Sequence, residues 1–175
     1  MQKTISMNGL VLYKSRYGAT QQYADWIGAD LKLPVIDPER MDDKLLAACD
    51  FLLIGASVYN GDLLLKDWLN ENQHRLNDKK LFLFIVCAPT PDAGKHHQII
   101  LDNIPRSIWI AADIVFLPGR WILRNLSLTD SRTLEEKARM ENDPAKKDAL
   151  SQDNDAVKKE HIAALLTTIR SSYQC

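Results

Sequence analysis

Two short stretches of this chain carry residues suited to holding a small anion and a flat ring. The first is Ser15-Arg16-Tyr17-Gly18-Ala19-Thr20. It follows an apolar run, Leu10-Val11-Leu12-Tyr13, and precedes a run of helical spacing from Gln21. A strand, a hydroxyl-bearing loop with one glycine and a helix start together make a phosphate-binding arrangement. Backbone N–H groups at the helix start have no intrahelical acceptor, and the helix dipole favours negative charge there. Ser15 and Thr20 add hydroxyl donors, and Gly18 allows a tight turn or a close approach to a ligand. One glycine excludes the G-x-G-x-x-G fingerprint, and the missing Gly-Lys-Ser/Thr excludes a Walker loop. With no lysine to reach outer phosphates, the loop suits a small terminal phosphate better than a triphosphate. The competing reading is an ordinary strand-to-helix turn capped by Thr20.

The second stretch is Ser57-Val58-Tyr59-Asn60-Gly61-Asp62, read as a loop after the apolar run Phe51–Ala56. Tyr59 offers a ring for stacking, and Asn60-Gly61 is a turn dipeptide. A third loop, Ala88 to Gly94, offers backbone groups near Ala88, Pro89 and Thr90.

The elements that must position these loops follow from hydropathy. Gly9–Tyr13, Phe51–Ala56 and Leu81–Cys87 are continuously apolar, as in parallel strands covered on both faces. Leu33–Ile36 is short and carries Pro34, which suits an edge strand. Ala112–Leu117 reads as the fifth strand. Helices are expected over Thr20–Leu31 (Tyr23, Ile27 and Leu31 inward), Met41–Ala48, Leu63–Arg75, His96–Asn103 and Asp155–Ser171. From Arg120 to Asn154 the pattern weakens to a polar helix, Asp130–Asn142, anchored only by Leu134, Ala138 and Met140. Strand and helix therefore alternate through five strands, which argues for an α/β doubly wound parallel sheet with helices on both faces. In the order 2-1-3-4-5, ligands sit beyond the carboxyl ends of strands one and three, where the first two loops lie.

The length of 175 residues suits a single domain, residues 1–175, with an extended segment at about 120–154 before the last helix. The formal net charge of -1 gives no electrostatic argument for nucleic acid or an anionic membrane. Cys49, Cys87 and Cys175 are far apart, and neither they nor the four histidines form a metal signature. No run approaches a membrane span, and Met1–Asn8 does not read as a signal peptide. The expectation is a soluble, cytoplasmic protein.

Hydroxyl-x-x-Gly-x-Thr after the first strand resembles the phosphate loop of the flavodoxin-like family, which binds flavin mononucleotide (FMN). Gly55-Ala56-Ser57-Val58-Tyr59-Asn60-Gly61 is similar to the second flavin loop of the group related to menaquinone-dependent protoporphyrinogen dehydrogenase. That group also carries an extra segment before the last helix. The resemblance spans roughly Gly9 to Ser171 and implies an FMN-binding protein that transfers electrons through its flavin. By it, Ser15, Arg16, Tyr17, Gly18, Ala19 and Thr20 hold the phosphate. Ser57, Val58, Tyr59, Asn60 and Gly61 border the ring, and Ala88, Pro89, Thr90 and Gly94 form a third wall. The third loop lacks the aromatic residue of typical electron-carrying flavodoxins, so one ring face is open to substrate, unless His96 or His97 turns inward. The 120–154 segment is mixed in charge rather than basic, which departs from the membrane-associated relatives. Arg106, Arg120, Arg124 and Arg132 read as solvated charge, and Trp109 and Trp121 as packing. No acid–base residue is named. Three alternatives stand: an electron carrier serving a redox partner protein or a small-molecule or quinone acceptor, a protoporphyrinogen or quinone oxidoreductase, and a module of the same fold without cofactor. A homodimer is left open.

Overall fold

The computed structural model describes residues 8–88 and 93–173. In chain order the elements are β1 (Gly9–Lys14), α1 (Ala19–Leu31), β2 (Val35–Ile36), α2 (Asp43–Ala48), β3 (Phe51–Tyr59), β4 (Asp62–Leu63), α3 (Lys66–Asn72), β5 (Lys80–Cys87), α4 (Ala93–Asn103), α5 (Arg106–Trp109), β6 (Ala112–Pro118), β7 (Arg120–Trp121), α6 (Leu128–Met140), α7 (Pro144–Leu150), β8 (Asn154–Asp155) and α8 (Ala163–Tyr173). The main sheet runs β2-β1-β3-β5-β6, all parallel, so the parallel strands alone have the order 2-1-3-4-5. This is the doubly wound sheet of flavodoxin-like proteins.

The continuous apolar runs form the middle of the sheet because both of its faces are covered. Leu10, Leu12, Leu52, Ile54, Leu81, Leu83 and Ile85 point to one core, with Leu46, Leu69, Ile104 and Ile108 from the helical side. Val11, Leu53, Phe82 and Phe84 point to the other, against Tyr23 and Ile27 of α1 and Leu165, Leu166 and Ile169 of α8. Tyr23 is fully buried and its phenol donates to the carbonyl of Pro118 at 2.9 Å, tying α1 to the end of β6.

Several boundaries differ from the sequence reading, each for a local reason. Ser57 to Tyr59 continue β3 instead of forming a loop, and Asn60-Gly61 turns the chain into β4. Asn60 at φ 50° and Gly61 at φ 89° place both central residues in the left-handed region, the two-residue turn that matches strand twist. Leu63 therefore belongs to β4, and α3 starts at Lys66. Asn103, 2% exposed, fixes this hairpin: its side chain accepts from Leu63 N–H at 2.8 Å and donates to the Gly61 carbonyl at 2.9 Å.

The expected last helix from Asp155 begins instead at Ala163, because Asn154 and Asp155 pair antiparallel with Trp121 and Arg120. Between the strands of that ribbon lie α6 and α7. On α6 Ala138 is buried, whereas Met140 is exposed and is no anchor. The buried residue near its start is Asp130. No helix among the described residues is long and apolar enough to cross a membrane.

Candidate functional site

The carboxyl ends of β1, β3 and β5 open into a cleft. Its walls are Ser15, Arg16, Tyr17 and Ala19 from the first loop, Ser57, Val58 and Tyr59 from β3, Val86, Cys87 and Ala88 from β5, and Gly119, Arg120 and Trp121 beyond β6. The last group was not expected there. A bond from Gly119 N–H to the Cys87 carbonyl at 2.8 Å brings β7 alongside the end of β5.

The first loop is shaped by its own atoms. Ser15 Oγ accepts from the Gly18 N–H at 3.0 Å, which leaves the Ser15 hydroxyl proton to donate elsewhere. Gly18 is the N-cap of α1 at φ 80°, with no side-chain cap, so Thr20 is not the capping residue. Thr20 sits in the first turn, fully buried, and its hydroxyl has no hydrogen-bond partner among the described residues. Ser57 Oγ is likewise buried and unpartnered. Native structures rarely leave such groups unpaired without a ligand, ion or water to serve them. No acidic side chain occupies the first turn of α1, so its dipole is not already neutralised there.

Tyr59 ends β3 with its ring under the guanidinium of Arg16, whose Cζ lies 4.0 Å from the ring centroid. Both are held by Asp130, from the start of α6. Its Oδ2 accepts from Arg16 Nε at 3.1 Å, from an Arg16 terminal nitrogen at 2.9 Å, and from the Tyr17 hydroxyl. Its Oδ1 accepts from the Tyr59 hydroxyl. Burial alone would raise the pKa of this carboxyl. The hydrogen bonds from Tyr17, Tyr59, Arg16 and Ser127 outweigh it and hold the group well below the usual carboxylate range. The same bond to Asp130, with burial second, pushes the Tyr59 phenol up. The sequence places Asp130 only at the start of a polar helix; that helix begins at Leu128, with Ser127 Oγ accepting from the Asp130 N–H at 3.1 Å as its cap.

Arg120 binds Gln22 of α1 and sits 3.5 Å from Asp155, while its buried Nε has no partner among the described residues. It is a cleft residue rather than solvated charge. Trp121 also lines the cleft, with its indole N–H donating to the Gln152 carbonyl at 2.9 Å. Burial pushes the Cys87 thiol up, so it is no ready nucleophile. Asn60 and Gly61 lie on the hairpin turn beyond Tyr59, and Gly94 in the exposed first turn of α4. Pro89 and Thr90 fall outside the described residues. His96 stacks on Phe116, ring centroids 3.9 Å apart.

The sequence matches the model of the flavodoxin domain family over residues 10–148. The chain belongs to the flavodoxin domain family. Solved structures similar to this flavodoxin domain include two flavodoxins. That of Megasphaera elsdenii is 18% identical, with 62% of this chain and 82% of that one covered at a TM-score of 0.45. Flavodoxin 2 of Bacillus cereus is 20% identical, covering 63% and 82%, also at 0.45. A flavoprotein of Lactobacillus acidophilus, solved in complex with FMN, is 15% identical, covering 65% and 93%, at 0.43. No curated protein sequence matches this flavodoxin domain.

Proposed function

We propose that residues 1–175 form one FMN-binding redox module that passes electrons between a donor and an acceptor, either a partner protein or a small molecule such as a quinone. The observation that carries this reading is the pair of buried, unpartnered hydroxyls, Thr20 Oγ1 at the start of α1 and Ser57 Oγ in the cleft wall. Thr20 lies in the first turn of α1 next to Ala19, which lines the same cleft as Ser57 of β3, with Tyr59 on its edge. Thr20, the free proton of Ser15 and the first N–H groups of α1 would hold the phosphate. Ser57 and Tyr59 would border the ring, with Ala88 on the third wall. The bound flavin supplies the electron chemistry; the protein orients it, shields it from water and sets its potential.

The test is an absorption spectrum of the purified protein, with identification of any released cofactor, followed by titration of stripped protein with FMN. A flavin spectrum, or quenching of added FMN, is expected. Colourless protein that leaves FMN fluorescence unchanged would sink the reading and favour a module without cofactor.

A second reading has an observation of its own. Arg120 and Trp121 bring a cation and a large ring from the extra segment into the cleft wall. These suit an oxidoreductase in which Arg120 meets the carboxylates of a porphyrinogen or Trp121 packs on a quinone ring, the two substrate classes suggested by the sequence. Sustained protoporphyrinogen oxidation with a quinone acceptor by flavin-loaded protein supports it, and no turnover leaves the carrier.

A further inference from the structure

Asp130 comes from outside the sheet, yet it grips the cleft. Its carboxylate binds Arg16 and Tyr17 of the first loop and Tyr59 of β3, residues far apart in sequence. It is 8% exposed, whereas most of α6 faces solvent. Arg16 covers one face of the Tyr59 ring, so a flat ligand has only the other. The backbone beneath Tyr59 is already fixed by the hairpin and by Asn103. The remaining freedom is rotation of the side chain itself, and the bond from its hydroxyl to Asp130 removes it.

We propose that Asp130 is a positioning residue: it fixes the Tyr59 ring, with Arg16 on its far face, so that a single ring face meets a bound flavin, and it balances the Arg16 charge at the flavin's edge. This rests on the flavin reading above. The arrangement makes the extra segment part of the cofactor site rather than an appendage. A ring fixed in advance is not ordered at the moment of binding, so ligand affinity gains. A carboxylate that cancels the guanidinium also opposes the build-up of negative charge on a reduced ring, which keeps the potential lower than Arg16 alone would set it.

The experiment compares Asp130→Asn, Tyr59→Phe and the double variant with the wild type. Three quantities are read: FMN affinity by fluorescence, the midpoint potential of the bound flavin, and amide hydrogen exchange of the ligand-free protein. Asp130→Asn is close to isosteric, and Tyr59→Phe keeps the ring, so a folding failure of one leaves the other informative. Asp130→Asn is expected to weaken FMN binding about tenfold, equivalent to about 1.4 kcal/mol. It should also raise the midpoint potential and lower amide protection over Leu128–Met140. Tyr59→Phe should weaken binding by a smaller factor, and the double variant should be no weaker than Asp130→Asn alone, because one contact joins the two residues. Wild-type affinity and potential in Asp130→Asn, or strictly additive losses, overturn the proposal. If the wild-type chain takes up no FMN, the flavin reading falls and takes the ring-facing role with it. Amide exchange then decides the clasp alone: unchanged protection in Asp130→Asn removes that as well.

Discussion

Thr20 and Asp130 are both buried polar side chains beside one cleft, and they are in opposite states. Thr20 Oγ1 has no partner among the described residues, while the Asp130 carboxylate accepts bonds from a guanidinium and two phenols. The first is a debt of the ligand-free protein that a ligand can settle. The second is a finished network that holds two parts of the chain together. A buried group left unpaired costs stability, and a satisfied one contributes it, so the two residues should respond to truncation with opposite signs.

The largest effect is expected for Asp130→Ala. It leaves Tyr17, Tyr59 and Arg16 facing one another without the acceptor, and should lower stability by about 2–3 kcal/mol, an amount reduced by the partial exposure of Arg16. The urea midpoint of the ligand-free protein measures it. Thr20→Val should do the reverse in the same assay, raising or preserving stability, while weakening FMN binding by about 1–3 kcal/mol. Loss of stability together with unchanged FMN affinity would erase the contrast. Asn103→Ala, away from the cleft, should cost about 2 kcal/mol by leaving Leu63 N–H unpaired beneath the hairpin. It should also blur the position of Tyr59, visible as a weaker near-ultraviolet circular dichroism signal. Gly18→Ala forces a side chain into φ 80° and should cost about 1 kcal/mol, although no atom obstructs the added carbon.

pH sharpens the comparison further. The folded-state pKa of Asp130 is depressed, so its contribution is present above the unfolded value of about 3.9 and is lost as pH falls from there through the folded value. The stability gap between the wild type and Asp130→Asn should therefore be full at pH 7 and shrink below about pH 4. Thr20→Val carries no titrating group and should show a gap independent of pH. The smallest effect is reserved for Leu128→Ser on the same helix: this side chain is 82% exposed, and its loss should stay within about 0.5 kcal/mol.

The same two residues show what could be read from the chain alone. The loop at the start of α1 lies in six consecutive residues after an apolar strand, and the parallel doubly wound sheet follows from five apolar runs alternating with helices. Signals of that kind are local. The Asn60-Gly61 dipeptide was visible too, but its consequence was not, since the turn extends β3 through Tyr59 and starts a new strand instead of closing a loop. Asp130 was illegible for a different reason. Its side-chain partners are more than 70 residues away in sequence, and an acidic residue in the first turn of a polar helix is sufficiently explained by the helix dipole. Arg120 and Trp121 read as solvated charge and packing because two residues of pairing with Asn154 and Asp155 leave no periodicity to detect.

That small ribbon has a consequence for how such a protein can change. Arg120-Trp121 and Asn154-Asp155 run side by side, so the excursion leaves the body and returns to it at one place. Closing a long excursion at its base makes its length nearly free, because the ends are held together whatever lies between them. Residues between Trp121 and Asn154 can therefore be exchanged for another insert without parting the ribbon, but any exchange that drops Asp130 also frees Arg16, Tyr17 and the end of β3 at Tyr59. A version altered in this way keeps the ribbon at its base and the sheet order while changing what the rim presents, which makes this the natural seam at which relatives of one ancestry could diverge in what they admit.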